Sequence, residues 1–120
     1  MQIRSQFAAR YAKRSVEWMR ESLELTNREI GLALGATPRT VIRWTNLESS
    51  PSPAHREQIG NMNVLRHLLS VSFRSEEGML KWLMTEIPAL GGRTPLHSIL
   101  NGDIDGVIGL LGTLMAGAFV

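Results

Sequence analysis

The stretch that decides the fold runs from Thr26 to Trp44 and reads TNREIGLALGATPRTVIRW. Thr26, followed three residues later by Glu29, is the pattern of a capping box, which predicts the start of a helix. Gly35 ends that helix, because glycine readily adopts the left-handed backbone that a helix end requires. Thr37 and the proline after it then begin a second helix as N-cap and first residue. Two short helices joined by so tight a turn are typical of a helix-turn-helix DNA-binding unit.

The second of these helices has two faces of different chemistry. At about 100° per residue, Val41 and Trp44 point toward a core, and Gly31 in the first helix allows the two helices to approach closely. The opposite face carries arginines, which hydrogen-bond guanine or phosphate, and an aliphatic side chain suited to a thymine methyl group. The simpler alternative is a helical hairpin whose arginines are merely solvated. We predict DNA contacts from six residues: Arg28, Thr37, Arg39, Thr40, Ile42 and Arg43.

The charge of the chain is unevenly placed. The 120 residues carry a formal net charge of +2. Residues 1–60 hold nine Arg or Lys against six Asp or Glu, whereas residues 61–120 hold four against five. A basic first half beside a nearly neutral second half is suited to phosphate contacts on one module and protein contacts on the other. The absence of cysteine excludes disulfides and thiolate metal sites, and the start of the chain lacks the apolar run of a secretory signal, so we expect a cytoplasmic protein.

Helical periodicity also dominates the rest of the chain, and no stretch alternates in the manner of a β-strand. The prediction is therefore an all-α fold. A first helix, from about Ser5 to Leu23, carries one apolar stripe that we expect to pack on the helix-turn-helix. Phe7, Tyr11 and Trp18 form a separate aromatic flank. We expect this flank to pack in the core against the second module, or else to form a dimer contact.

A Pro/Ser-rich segment, residues 49–53, ends the DNA-binding unit, and a long helix from about Ala54 to Phe73 follows it. The apolar residues of this helix spread over about half its circumference, which is more than one neighbour covers. We infer a central helix buried between two partners, either two modules of one chain or two chains of a homodimer that pair through the helical core. The predicted domains are residues 1–53, the helix-turn-helix unit, and residues 54–120, a helical domain that shares the central helix 54–73.

The last third of the chain is predicted to form short helices with capped starts. Ser75, Thr94 and Asp103 each stand where an N-cap is expected. Residues 106–120 carry no charge, but about 20 apolar residues are needed to span a bilayer, so we expect no membrane segment. Three glycines of the last helix are expected to allow close helix packing: Gly106, Gly109 and Gly112.

The motifs of this last third occur in a characteristic order. Trp82-Leu83 is followed by Pro88-x-Leu-Gly-Gly-Arg-Thr-Pro-Leu96, then by Leu100, Gly106-Val107, Leu110-Leu111 and Gly117. This order resembles the toxin-binding domain of the MbcA/ParS/Xre antitoxin family. The upstream stretch Ala36–Trp44 is also similar to the helix-turn-helix of that family. The resemblance covers residues 25–120, and the first 24 residues inherit nothing from it.

The resemblance implies a partner and a mechanism. Antitoxins of this family pair with RES-domain toxins, which attack NAD or use it to ADP-ribosylate a target. Their carboxy-terminal domain packs on the toxin and obstructs its nucleotide pocket, while the amino-terminal domain can repress the operon. For this chain, the resemblance places toxin contacts at Leu90, Gly91, Gly92, Arg93, Thr94, Leu96, Phe119 and Val120.

Arg93 is the side chain that we expect to anchor such an interface. It follows two glycines in a turn that we expect to be flexible enough for the arginine to reach a partner. An arginine desolvated at the centre of an interface is commonly a hot spot. The alternative is that the glycines merely make the turn and Arg93 stays solvated.

The patterns of catalytic, metal and nucleotide sites are missing from the sequence. The three histidines are scattered, without the i, i+4 pair that zinc sites use, and each is expected at the surface or at a helix cap. Residues 91–94 lack the Gly-Lys-Ser/Thr ending of a phosphate loop. We expect no enzyme activity, no metal and no cofactor. The alternative function is a stand-alone helix-turn-helix repressor whose carboxy-terminal half serves dimerisation or effector binding.

Overall fold

The backbone is helical over most of residues 2–117, the part of the chain that this computed structural model describes, with side chains described from residue 6. A short 3-10 helix, Pro88–Leu90, precedes the last two α-helices, and an isolated β-bridge joins Ile87 to Arg93. The predicted all-α class is confirmed. Over the described residues the α-helices are α1 (Gln2–Glu21), α2 (Asn27–Leu34), α3 (Pro38–Thr45), α4 (Pro53–Ser72), α5 (Glu76–Leu83), α6 (Pro95–Leu100) and α7 (Ile104–Gly117).

The chain divides into two compact units, and the division falls inside α4, between Gly60 and Asn61. In the first unit, α1 packs on α2 and α3, and α2 packs on α3. The predicted apolar stripe of α1 faces this core, as expected from its helical spacing. Trp44 is the largest of the fully buried side chains there. The core of the first unit contains Ala12, Val16, Met19, Leu23, Ile30, Leu34, Val41, Trp44 and Ile59.

Local capping holds the α2–α3 pair in the form that the sequence predicts. The Thr26 hydroxyl accepts the amide N–H of Glu29 at 3.1 Å, and the Glu29 carboxylate accepts the amide N–H of Thr26 at 2.9 Å. Such a cap contributes about 1 kcal/mol to stability. Gly35 ends α2 with a left-handed φ of 73°. A Cβ at Gly31 would collide with the carbonyl oxygen of Ala36. Glycine is therefore required because the α2–α3 turn passes close to α2.

In the second unit, α6 packs on α5 and on α7. The turns are capped as predicted. The Thr94 hydroxyl accepts the N–H of His97 at 3.1 Å, and the Asp103 carboxylate accepts the N–H of Gly106 at 3.0 Å. Each cap provides a partner for one of the amide N–H groups that the start of a helix leaves unpaired. The core of the second unit contains Met62, Leu65, Leu69, Met79, Leu83, Ile99, Ile104, Val107 and Leu111.

The wide apolar surface of α4 is buried on one side only. Met62, Leu65 and Leu69 are fully buried, whereas Val64 and Val71 are 49% and 55% exposed. The three buried residues follow an i, i+3, i+7 spacing, which is the stripe that one neighbouring surface covers. Among the described residues, α4 is thus buried along one stripe, and its burial by a second module or by a second copy of the chain stays a prediction.

The aromatic flank of α1 does not enter the core. Phe7 and Tyr11 are 73% and 40% exposed, and Trp18 is half-buried. The expectation of core packing is therefore wrong for Phe7 and Tyr11. The reason is helical geometry, since α1 turns its stripe around Val16 toward the core and the flank lies about 130° away around the helix.

The glycines of α7 differ from their predicted role. Open space surrounds the position that a Cβ would occupy at Gly109 and at Gly112, so neither is required for close helix packing. At Gly106 a Cβ would meet the side chain of the capping Asp103. α7 instead packs through the side chains on its buried face, and the glycines at 109 and 112 lie on its exposed side.

Candidate functional site

The outward face of α3 carries most of the residues predicted to bind DNA. Arg39 and Arg43 are exposed, and neither pairs with a carboxylate in residues 6–117. They lie four residues apart and therefore share one face of the helix. Ile42 lies beside them and is 44% exposed. Because Val41 and Trp44 are buried on the inner face, α3 is held firmly while its arginines remain open to a phosphate or to guanine.

The two predicted threonines already have roles in the cap of α3. The Thr37 hydroxyl accepts the N–H of Thr40 at 3.1 Å and donates to the Thr40 hydroxyl at 3.0 Å. Arg28 stands apart from the other five residues, because it lies exposed in the first turn of α2. A cation is unfavourable at the positive end of a helix dipole, whereas an anion is favourable there. Arg28 therefore adds no stability to α2.

Side chains from α4 brace the turn between α2 and α3. His55 Nε2 lies 3.1 Å from the carbonyl oxygen of Gly35, and its Nδ1 lies 2.9 Å from the Ser52 hydroxyl. The Gln58 amide donates to the carbonyl oxygen of Ala33 at 3.1 Å. Carbonyl groups at the end of a helix lack partners within that helix, so these contacts satisfy the end of α2. His55 lies at a helix cap, as expected, and its other ring nitrogen also contacts the Ser52 hydroxyl.

A second set of contacts fixes α3 from α1 and α4. The Arg20 guanidinium donates to the side-chain oxygen of Asn27 and, at 3.2 Å, to the Thr45 hydroxyl. The His55 ring packs edge-on against the Trp44 indole, with 5.1 Å between ring centroids. Sequence analysis missed these contacts, because the partners are distant in sequence and no local pattern marks them.

The turn before α6 is a closed, hydrogen-bonded loop. The Ile87 N–H donates to the Arg93 carbonyl at 3.0 Å, and the Gly92 N–H donates to the Ile87 carbonyl at 3.0 Å. Gly91 and Gly92 have φ values of 70° and 81°, the left-handed region that favours glycine. The expectation of a flexible turn is therefore wrong, since the two glycines serve a defined backbone. Arg93 is exposed beside this loop.

The other predicted toxin contacts differ in accessibility. Gly91 and Gly92 are exposed, and Thr94 is half-buried with its hydroxyl in the α6 cap. Leu90 and Leu96 are half-buried. Phe119 and Val120 lie outside the described residues.

An apolar cleft of about 390 Å³ lies in the second unit. The rings of Phe73 and Trp82 are 5.5 Å apart in its wall, and Leu114 is half exposed at its edge. The Ser72 hydroxyl is buried without a hydrogen-bond partner, so the cleft contains one unsatisfied polar group. Sequence analysis missed this cleft. Its lining residues are Val71, Ser72, Phe73, Trp82, Leu111, Leu114 and Met115.

Metal-binding clusters and membrane-spanning helices are both absent from residues 2–117. No group of three or more His, Cys, Asp or Glu side chains in that range is placed to hold a metal ion. The helices described there are each too short or too polar to cross a membrane.

Comparison with known proteins gives one consistent result. No family model matches the chain. A chain in the crystal structure of the M. tuberculosis MbcT–MbcA toxin–antitoxin complex superimposes with a TM-score of 0.64 at 24% identity, covering 90% of this chain and 96% of that one. The chain is therefore similar in fold to a protein of that complex and similar in sequence to MbcA-like antitoxins.

Among the proteins of similar sequence are the mycobacterial cidal antitoxins MbcA. Those of Mycobacterium bovis and Mycobacterium tuberculosis are each 25% identical to this chain over 100 residues, which is 83% of this chain and 88% of the relative. An alignment of that length includes residues of both compact units.

Proposed function

We propose that this chain is the antitoxin of a toxin–antitoxin pair. It binds a RES-domain toxin through its second unit, covers the NAD pocket of that toxin, and represses its own operon through its first unit. The observation that carries the proposal is the similarity to MbcA along 83% of the chain. MbcA is found with MbcT in the crystal structure of their complex. The chain acts by binding in the cytoplasm and not by catalysis.

The toxin-binding surface is proposed to combine the turn at Arg93 with the apolar cleft. The turn offers an exposed guanidinium on a backbone that hydrogen bonds already fix, so little order is lost on binding. The cleft offers apolar surface. A partner that supplies a hydrogen-bond acceptor to the guanidinium and an apolar side chain to the cleft matches both features. Residues 118–120 extend this surface in the proposal.

Operator binding is proposed for α3, whose exposed Arg39 and Arg43 lack acidic partners among residues 6–117. One recognition helix reads few base pairs, and helix-turn-helix proteins generally bind two half-sites as dimers. We therefore propose that two copies of the chain associate. Two exposed apolar faces are available for this pairing: Val64 with Val71 on α4, and Phe7 with Tyr11 on α1.

The test is co-expression of the chain with the RES-domain toxin of the proposed pair. We expect the chain to restore growth and to co-purify with that protein through an affinity tag on the toxin. A variant with a blocked cleft, Leu114→Arg, is expected to lose both effects, whereas Leu32→Arg in the first unit serves as the matched exposed leucine and is expected to keep them. Growth arrest that persists, together with operator binding by the chain alone, would instead establish the stand-alone repressor.

A further inference from the structure

We infer that the aromatic face of α1 is the surface through which two copies of this chain pair. This face, defined here by Phe7, Tyr11, Arg14 and Trp18, lies within an arc of about 60° around the helix. The inference rests on the homodimer proposed above and is independent of the toxin and the operator. Phe7 and Tyr11 are 73% and 40% exposed. Exposed apolar side chains that lie together commonly mark an interaction surface.

The two exposed rings form one continuous surface. Phe7 and Tyr11 are nearly parallel, with 13° between their planes and 6.4 Å between their centroids. Trp18, half-buried, lies about two turns beyond Tyr11 on the same side of α1. Exposed aromatic residues are enriched among the side chains that dominate binding energy at interfaces. The face therefore has the composition of an interface core.

Arg14 makes the face complementary to itself. Its side chain is exposed and pairs with no carboxylate in residues 6–117. Two copies of α1 laid antiparallel, with the two-fold axis near residues 12 and 13, bring Tyr11 of each copy against Arg14 of the other. The same arrangement brings Phe7 against Trp18. A two-fold interface repeats each contact, so it gains two cation–π pairs and two aromatic pairs.

The apolar patch on α4 fits a second copy less well. Val64 and Val71 are exposed, but they are seven residues apart, and the exposed His67 lies on the same side between them. The patch has neither an aromatic anchor nor a charged group opposite a ring. It therefore provides the comparison surface for the test.

The first test compares two double variants of the full chain. Phe7→Ser with Tyr11→Ser removes the α1 face, and Val64→Ser with Val71→Ser alters a matched pair of exposed apolar residues. Light scattering over a range of concentrations measures the dimer dissociation constant, and circular dichroism checks the fold. We expect the α1 variant to raise that constant by about tenfold or more and the α4 variant to leave it unchanged.

The second test uses the absence of cysteine from the chain. Arg14→Cys places a thiol close to the proposed two-fold axis. Glu77→Cys places a thiol at an exposed position of α5 and is the control for random collision. Under mild oxidation we expect a covalent dimer from Arg14→Cys and none from Glu77→Cys.

Each outcome decides the inference. A dimer that persists in the Phe7/Tyr11 variant overturns it, and dissociation by the α4 variant alone assigns pairing to α4. Loss of toxin binding with the dimer intact assigns the α1 face to the toxin and also overturns it. A wild-type chain that is monomeric at every concentration defeats the proposed homodimer itself, while toxin binding by that monomer leaves the antitoxin proposal standing.

Discussion

Gly31 shows how one atom constrains the α2–α3 pair. A Cβ there would overlap the carbonyl oxygen of Ala36, which belongs to the backbone and has no side-chain freedom to move away. We predict that Gly31→Ala lowers the free energy of unfolding by about 1–3 kcal/mol, the usual cost of overpacking. Gly60→Ala, in a helical position with open space, is expected to raise it by about 0.5–1 kcal/mol. Urea unfolding of both variants measures the difference, and equal effects would contradict the account.

Arg93 is the residue on which the proposed toxin interface depends most. The hydrogen-bonded turn presents its guanidinium to solvent, so the side chain does not stabilise the fold through an ion pair in residues 6–117. We predict that Arg93→Ala weakens toxin binding by more than about 1 kcal/mol, as expected for an interface anchor. Calorimetric titration measures the loss of affinity, and Arg56→Ala, at an exposed position of α4, is the control. A loss no larger than that of the control would mean that Arg93 stays solvated in the complex.

At the scale of one element, α3 is predicted to bind the operator through its charged face. Replacing Arg39 and Arg43 by alanine removes two cations that α3 does not need for packing. We expect weaker binding to the promoter of the operon and a salt dependence that is shallower by about two units of slope. Fluorescence anisotropy at several salt concentrations measures both. The control replaces Arg56 and Arg74, and an identical slope in the two double variants would remove α3 from the interface.

The elements themselves are largely predictable from the sequence, because their limits are set by neighbours in the chain. The capping box at Thr26 and Glu29, the left-handed Gly35 and the cap at Asp103 each involve residues within a few positions. The faces of α4 were harder to assign, since periodicity identifies an apolar side but not what covers it. Val64 is an example, because it is apolar in the sequence and 49% exposed in the structure.

The site was predictable to a smaller extent. The exposed arginines of α3 follow from helical spacing alone. The bracing by Arg20 and His55, and the cleft around Trp82, bring together residues that are far apart in sequence. No local pattern encodes such contacts, so only the folded chain reveals them.

For the whole molecule, the proposal assigns different partners to the two units. Deleting residues 117–120, whose last three residues lie outside the described part, is predicted to abolish neutralisation of the toxin and to leave operator binding intact. The reason is that the proposed toxin surface includes the end of the second unit, whereas α3 belongs to the first. Growth rescue and operator anisotropy of the truncated chain test the two halves separately. Neutralisation at the full-length level would exclude the terminal residues from the interface.

The most direct measurement of the central claim is the rate at which the RES-domain toxin of the proposed pair consumes NAD as the purified chain is titrated into it. If the chain covers the nucleotide pocket, consumption falls to background once the two proteins are equimolar, and the Leu114→Arg variant shifts that end point to higher concentration. If NAD consumption continues at its original rate in an excess of the chain, the chain is not the antitoxin of that protein.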